Sequence, residues 1–151
     1  LERSTFYEAN SMRITFDIDP IPASRPRVSR WSTYYPKRYT KFREKMKALT
    51  GELETTPFEK LVSVSVVFYI GMPKSWSKKK KKEKNKGFCD NNADLDNYQK
   101  AILDSLNGVL YIDDRQIVEI FASKRYSDKP FIELEIHEIG EENDCREIGN
   151  V

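Results

Sequence analysis

The chain has 151 residues and a mass of 17.7 kDa, enough for one domain with a substantial hydrophobic core. Charged residues make up 33% and aromatic residues 12%, a share of rings that excludes wholesale disorder despite the high charge. The net charge of +2 hides an asymmetry: Arg25–Lys47 carries nine Lys/Arg against one acid and Lys74–Lys86 carries eight lysines against one acid, so the rest of the chain carries −13.

Leu1–Ser11 is polar and without period, and is expected to be an N-terminal extension or cloning remnant ahead of a domain over 12–140. Arg13–Ile18 alternates, with Ile14, Phe16 and Ile18 on one face, and predicts a strand. Pro20, Pro22 and Pro26 then impose extended backbone on a segment that holds Arg25, Arg27 and Arg30. Pro36 can open a helix as its first residue; Tyr39, Phe42, Met46 and Leu49 give it one apolar stripe, and Gly51 is its expected stop. Leu61–Ile70 is the strongest strand, with Val62, Val64, Val66, Phe68 and Ile70 on one face; on the other, Ser63 and Ser65 give way to Val67 and Tyr69. Ser77 can cap a short helix over the run Lys78, Lys79, Lys80, Lys81 and Lys82, a segment expected to be mobile. A helix fits Leu95–Asn107, where Leu95, Tyr98, Ile102 and Leu106 recur at helical spacing before Gly108. A short strand at Val109–Ile112 and a turn at Asp113-Asp114 follow. Gln116–Tyr126 and Pro130–Ile139 predict a hairpin with Ser127-Asp128-Lys129 at its tip, and 141–151 is an acidic tail expected to fray. The pattern predicts an α/β chain of the α+β type: a single domain with a small mixed sheet of about four to five strands and two main helices.

No apolar stretch approaches the ~20 residues of a membrane helix, so no membrane role is expected. No charged-then-apolar leader opens the chain, and Cys89 and Cys145 are too few for a disulfide framework or a four-ligand zinc site. Free thiols and a cytoplasmic location are expected. The two basic segments read either as solvated faces or as a polyanion surface. Nucleic acid is favoured over membrane, because the first segment interleaves aromatics and prolines and has no amphipathic anchor before Pro36. Its contact residues would be Arg25, Arg27, Arg30, Lys37 and Arg38, joined by Lys78–Lys82. Trp31 and Trp76 border these segments; Trp76 can stack on bases or pack against the sheet.

Asp94 and Asp96, with Asp113-Asp114 further on, are the sharpest chemical feature. Carboxylates at i and i+2 point the same way only where the backbone is extended or just starting a helix. A helix, its Gly108 stop and a short return strand would carry Asp113-Asp114 back beside them. Such oxygen clusters suit hard cations, and Mg²⁺ is commonly held by a few carboxylates plus waters and substrate phosphate. Lys100, one turn after Asp96, can orient a carboxylate or meet a phosphate oxygen. Each piece alone also reads as a helix cap, a turn or a surface ion pair. Acids paired with two basic segments, an acidic pocket on a basic surface, are what metal-dependent phosphodiester hydrolysis needs. His137, the only histidine, alternates outward on the last strand and forms no triad.

The run Asp94-Leu95-Asp96-Asn97-x-x-Lys100-Ala101-x-Leu103-Asp104-x-Leu106-Asn107-Gly108, then Asp113-Asp114-x-Gln116-Ile117, resembles the signature of the RusA family of Holliday-junction resolvases. Arg25-Pro26-Arg27 is similar to the family's N-terminal arginine–proline segment, and Met72-Pro73-Lys74-Ser75-Trp76-Ser77 with its lysines resembles the central loop. The family usually has Pro before the first acid; here that residue is Ala93. The resemblance implies a small α/β homodimer that nicks four-way DNA junctions with Mg²⁺ or Mn²⁺, and no small-molecule cofactor. It implies catalytic and metal-binding acids Asp94, Asp96 and Asp114, with Asp113 as the alternative third ligand, and Lys100 as the essential basic partner. A phage or prophage origin would fit. Paired cuts need two sites while the chain offers one, which also points to a dimer, with Leu61–Ile70 and Gln116–Tyr126 as its expected surface. A catalytically silent DNA-binding protein of the same fold, or a nuclease cutting a broader range of branched DNA, are the competing expectations.

Overall fold

The computed structural model of the chain describes residues 5–8 and 10–139; the expected acidic tail at 141–151 lies outside them. In chain order the elements are β1 (Thr5–Glu8), β2 (Ser11–Phe16), the short strands β3 (Arg27–Val28) and β4 (Thr33–Tyr34), α1 (Lys37–Gly51), β5 (Val62–Gly71), α2 (Lys78–Lys84), α3 (Leu95–Leu106), a 3₁₀ turn (Asp114–Gln116), β6 (Ile117–Ser127) and β7 (Phe131–Glu138). Five strands form one sheet in the order β1-β2-β7-β5-β6, and β3 and β4 form a separate two-stranded ribbon. Only β5 and β6 run parallel. No helix among the described residues is long and apolar enough to cross a membrane.

The register builds the core. Met12, Ile136, Val64 and Ile120 lie in one row across β2, β7, β5 and β6; Ile14, Leu134, Val66 and Ala122 form the next row. A third row, Phe16, Ile132 and Phe68, ends on β6 at Lys124. These apolar rows face α1 and α3, which contribute Tyr39, Phe42 and Met46, and Tyr98, Ala101, Ile102 and Leu106, to a single core cluster. Each large aliphatic, Phe or Met side chain among them stabilises the fold by roughly 1.5–3 kcal/mol through burial. The opposite face of the sheet is polar: Arg13 pairs with Glu135 at 3.5 Å, His137 Nε2 with Glu135 at 2.8 Å, and Ser63 donates to Glu119 at 2.8 Å. The domain is therefore a two-layer α+β structure, as the sequence pattern predicts.

Four local expectations change. Gln116–Tyr126 and Pro130–Ile139 are not a hairpin, because β6 and β7 both pair with β5, which lies between them. Alternation identifies a strand but not its partner, and β5, apolar along one whole face, takes the interior position. Val109–Ile112 is not a strand. The Val109 and Leu110 N–H groups both donate back to the Leu106 carbonyl, at 3.0 and 3.1 Å, so the chain continues as a turn, and Gly108 at φ +79 redirects it there. Gly51 does not stop α1, which runs through it to a cap at Glu52. Thr5–Glu8, in a stretch without period, pairs antiparallel with β2. The lysine run forms α2, with the Ser77 hydroxyl accepting from the Lys80 backbone N–H.

Candidate active site and nucleic-acid face

Asp94 stands at the N-cap of α3 with extended backbone, φ −72 and ψ 139, yet its carboxylate makes no capping hydrogen bond. Asp96 follows in the first turn. Both are exposed, at the helix end where the dipole favours negative charge. The segment leading into Asp94 is fixed from the sheet. Lys124, at the edge of the third core row, donates to the Asn91 carbonyl (3.1 Å), the Asn91 Oδ1 (2.8 Å) and the Ala93 carbonyl (2.7 Å). All three ammonium hydrogens are thereby used. Asn91 in turn donates to the Tyr98 hydroxyl at 2.9 Å. The Tyr126 hydroxyl donates to Asp90 at 2.6 Å and holds that carboxyl below the usual carboxylate range, while burial pushes the Tyr126 phenol up.

At the other end of α3 the chain returns through Asp113-Asp114, and the two acids differ in role. Asp113 caps the 3₁₀ turn: its carboxylate accepts from the Arg115 N–H at 2.9 Å and lies 3.3 Å from the Arg115 Nε. That N–H, followed by the neighbouring Asp114 side chain, holds the Asp113 carboxyl below its ordinary range. Gln116 braces the turn, its Oε1 accepting from the Ile112 and Asp113 N–H groups and its Nε2 donating to the Phe58 and Lys60 carbonyls. Asp114 instead lines a cleft of about 410 Å³ with Gln99, Lys100, Leu103, Asp104, Ile117 and Ile120. The buried Tyr111 hydroxyl donates to the Leu103 carbonyl and clamps the return loop to α3. Burial, then the charges of Asp114 and Asp104, push that phenol up.

Lys100 and Asp104 also line a second cleft, of about 600 Å³, walled by Arg25, Pro26, Tyr35, Arg43 and Lys47. The proline-rich segment reaches α3 through a backbone bond from Ala23 N–H to the Asn97 carbonyl at 2.9 Å. The structure thus brings Asp114, Lys100 and Arg25 onto one cleft system, with Asp94 and Asp96 at the start of the same helix. It does not gather three carboxylates: among the described residues no three His, Cys, Asp or Glu side chains come together closely enough to hold an ion. No ion pair joins Asp96 to Lys100 among them. The donor set still fits a hard divalent cation, since the exposed acids offer only oxygen, Cys89 is buried, and His137 lies on the far face of the sheet.

Residues 25–35 are exposed throughout, and Lys37 and Arg38 extend that face into the first turn of α1. On α2, Lys78, Lys79, Lys80 and Lys82 are exposed and Lys81 is half-buried. Trp76 packs edge-on against Tyr126 at 5.0 Å with the Lys80 ammonium 4.3 Å over its ring, so it is a packing residue. Sequence reasoning missed Lys124 and Tyr111 as scaffolding and passed over Asp104, although Asp104 stands inside the quoted motif.

These features define an α+β domain whose carboxylate-bearing helix shares a cleft with a cationic segment. Residues 17–137 match the family described as Endodeoxyribonuclease RusA, and the chain belongs to that family of DNA endonucleases. It is also 44% identical over 82 residues to uncharacterized protein YqaN of Bacillus subtilis (strain 168). That match takes in 52% of this chain and 58% of the relative, so it spans little more than half of that protein's length.

Proposed function

We propose that the chain is a metal-dependent endonuclease that resolves four-way (Holliday) DNA junctions by a symmetric pair of phosphodiester cuts. The observation that carries this reading is the division of labour between the paired acids: Asp113 is consumed as a turn cap, which leaves Asp114 to face α3 in the cleft with Lys100. Asp94, Asp96 and Asp114 are the residues that would hold Mg²⁺ or Mn²⁺, with Asp113 excluded by its capping role. When bound, the ion supplies a water of lowered pKa and a counter-charge for the phosphate. Lys100 offers its ammonium to a phosphate oxygen in the cleft. Arg25, Arg27, Arg30, Lys37, Arg38 and Lys78–Lys82 hold the DNA backbone. No small-molecule cofactor takes part, and the reading places the chain in the cytoplasm.

The working form in this reading is a homodimer. β6 is an edge strand; its own Val118 and Phe121 are 54% and 61% exposed, and Ile112, shortly before it in the chain, is 59% exposed. Two copies joined along this edge would present two sites to two symmetry-related strands.

The test is incubation of labelled four-way junction and matched linear duplex with and without Mg²⁺. Paired cuts confined to the junction, and only with metal, are expected. Junction binding without cleavage at any metal concentration would make the chain a silent binding protein, and equal cutting of flaps and forks would make it a broader nuclease.

A further inference from the structure

The β3–β4 ribbon, whose arginines the proposed function sets on the DNA backbone, also carries an exposed indole that this reading does not use, and the inference drawn from it rests on that reading. Arg27 pairs with Tyr34, Val28 with Thr33, and the Ser29 N–H donates to the Ser32 carbonyl at 2.8 Å. The Ser29 hydroxyl closes the turn by accepting from the Ser32 N–H at 3.0 Å and the Trp31 N–H at 3.3 Å. Arg30 and Trp31 are therefore the two tip residues of a built turn. Trp31 is 86% exposed and Val28 82%. A bare indole on a protein surface commonly marks a contact site. The Arg30 guanidinium lies 5.4 Å over the Trp31 ring, and at the foot of the ribbon Arg43 lies 5.0 Å over Tyr35. No acid occurs from Pro20 to Arg43. At the root, Arg25 and Pro26 wall the cleft that contains Lys100.

We propose that this tip reads the branch point: Trp31 stacks on the base pair left open where the strands of a junction diverge, while Arg27 and Arg30 grip the flanking phosphates. In continuous duplex every base face is covered by its neighbour, so an indole finds no partner there; a branch point exposes one. The guanidinium groups around the ring demand a polyanionic occupant and repel the same ribbon of a second copy. The ribbon's continuity with the Lys100 cleft would set the scissile strand at a fixed distance from the branch.

The experiment uses Trp76→Phe protein, which leaves Trp31 as the sole tryptophan, in chelator so that no strand is cut. Its substrates are a four-way junction and a linear duplex, each carrying 2-aminopurine, at the branch point or at the matching position. Binding the junction should quench both Trp31 and the 2-aminopurine, because two stacked rings quench one another, and binding the duplex should do neither. Adding Trp31→Ala should abolish the 2-aminopurine response and weaken junction binding by roughly ten-fold or more. Duplex affinity and its salt slope should be unchanged, and Trp31→Phe should restore part of the response. An unchanged 2-aminopurine response and junction affinity in Trp31→Ala would overturn the inference, and persisting metal-dependent junction cleavage would then leave the nuclease reading standing. Absence of any junction preference in the unaltered protein would defeat both. Trp31 quenching on self-association without DNA would assign the tip to a second copy.

Discussion

At the scale of single residues, Asp94 and Asp96 are exposed at a helix start, and no ion pair among the described residues involves either carboxylate. Asp94→Asn and Asp96→Asn preserve shape and remove a charged oxygen, so each should abolish cleavage while junction binding in chelator survives. Near-normal turnover by either variant at saturating Mg²⁺ would remove that carboxylate from the mechanism. Lys124 acts one step back, on the segment that aims Asp94. Lys124→Met keeps the aliphatic stem but strips donors from two carbonyls and an amide oxygen, and one hydrogen bond to a charged group contributes about 1.5–3 kcal/mol. Stability in a urea melt should therefore fall by about 1.5 kcal/mol or more. The Mg²⁺ needed for half-maximal cleavage should rise, junction affinity in chelator should hold, and Lys124→Arg should restore part of the loss. An unaltered Mg²⁺ titration in Lys124→Met would show that Asp94 needs no such support.

At the scale of elements, the two cationic segments differ in form. Arg25, Arg27 and Arg30 lie along an exposed segment that leads from a cleft wall to a ribbon tip, whereas the lysines of α2 surround a short helix with no buried residue. Arginine's planar fork meets phosphate with less ordering than lysine. Neutralising the three arginines should flatten the salt dependence of duplex binding by ~0.9 log units for each lost phosphate contact. Neutralising three lysines of α2 should change it less, and an unchanged slope in the arginine variant would take that segment off the DNA. The elements also show what the sequence could tell. α1, α3 and β5 were legible because Tyr39–Phe42–Met46, Tyr98–Ile102–Leu106 and Val62–Val64–Val66 carry the period of their own secondary structure. The order of strands was not, because β5 and β6 pair in parallel across a long connection, and a register shift at Val62/Ser63 changes the phase of β6 near Val118. Asp94, Asp96, Lys100 and the pair Asp113-Asp114 were readable as candidates from the motif, but the turn-capping role of Asp113 was not, since it depends on the local backbone. Lys124 was not, since only the parallel pairing lays its row beside the segment before Asp94.

At the scale of the whole molecule, the sheet ends on one side at β1 and on the other at β6. The Gly87–Cys89 segment pairs with the end of β6 at Lys124 and Tyr126, but among the described residues nothing pairs along its outer edge over 117–123. An unpaired edge carrying exposed Val118 and Phe121 invites strand pairing or face-to-face contact with a second copy, because its open backbone groups are a template for a further strand and its apolar surface is unfavourable in water. The same edge begins just after the turn that holds Asp114, so a two-fold axis through it would set two clefts on either side of the joint. Phe121 lies on the sheet face away from the helices, so Phe121→Glu should leave the core intact and place two like charges across the joint. The unaltered protein should then sediment at twice 17.7 kDa and Phe121→Glu at 17.7 kDa. Junctions cut by the variant should accumulate as single nicks rather than resolved duplexes. Should the unaltered protein sediment at 17.7 kDa with and without junction, yet still make both cuts in one binding event, the dimer would be ruled out as the working form.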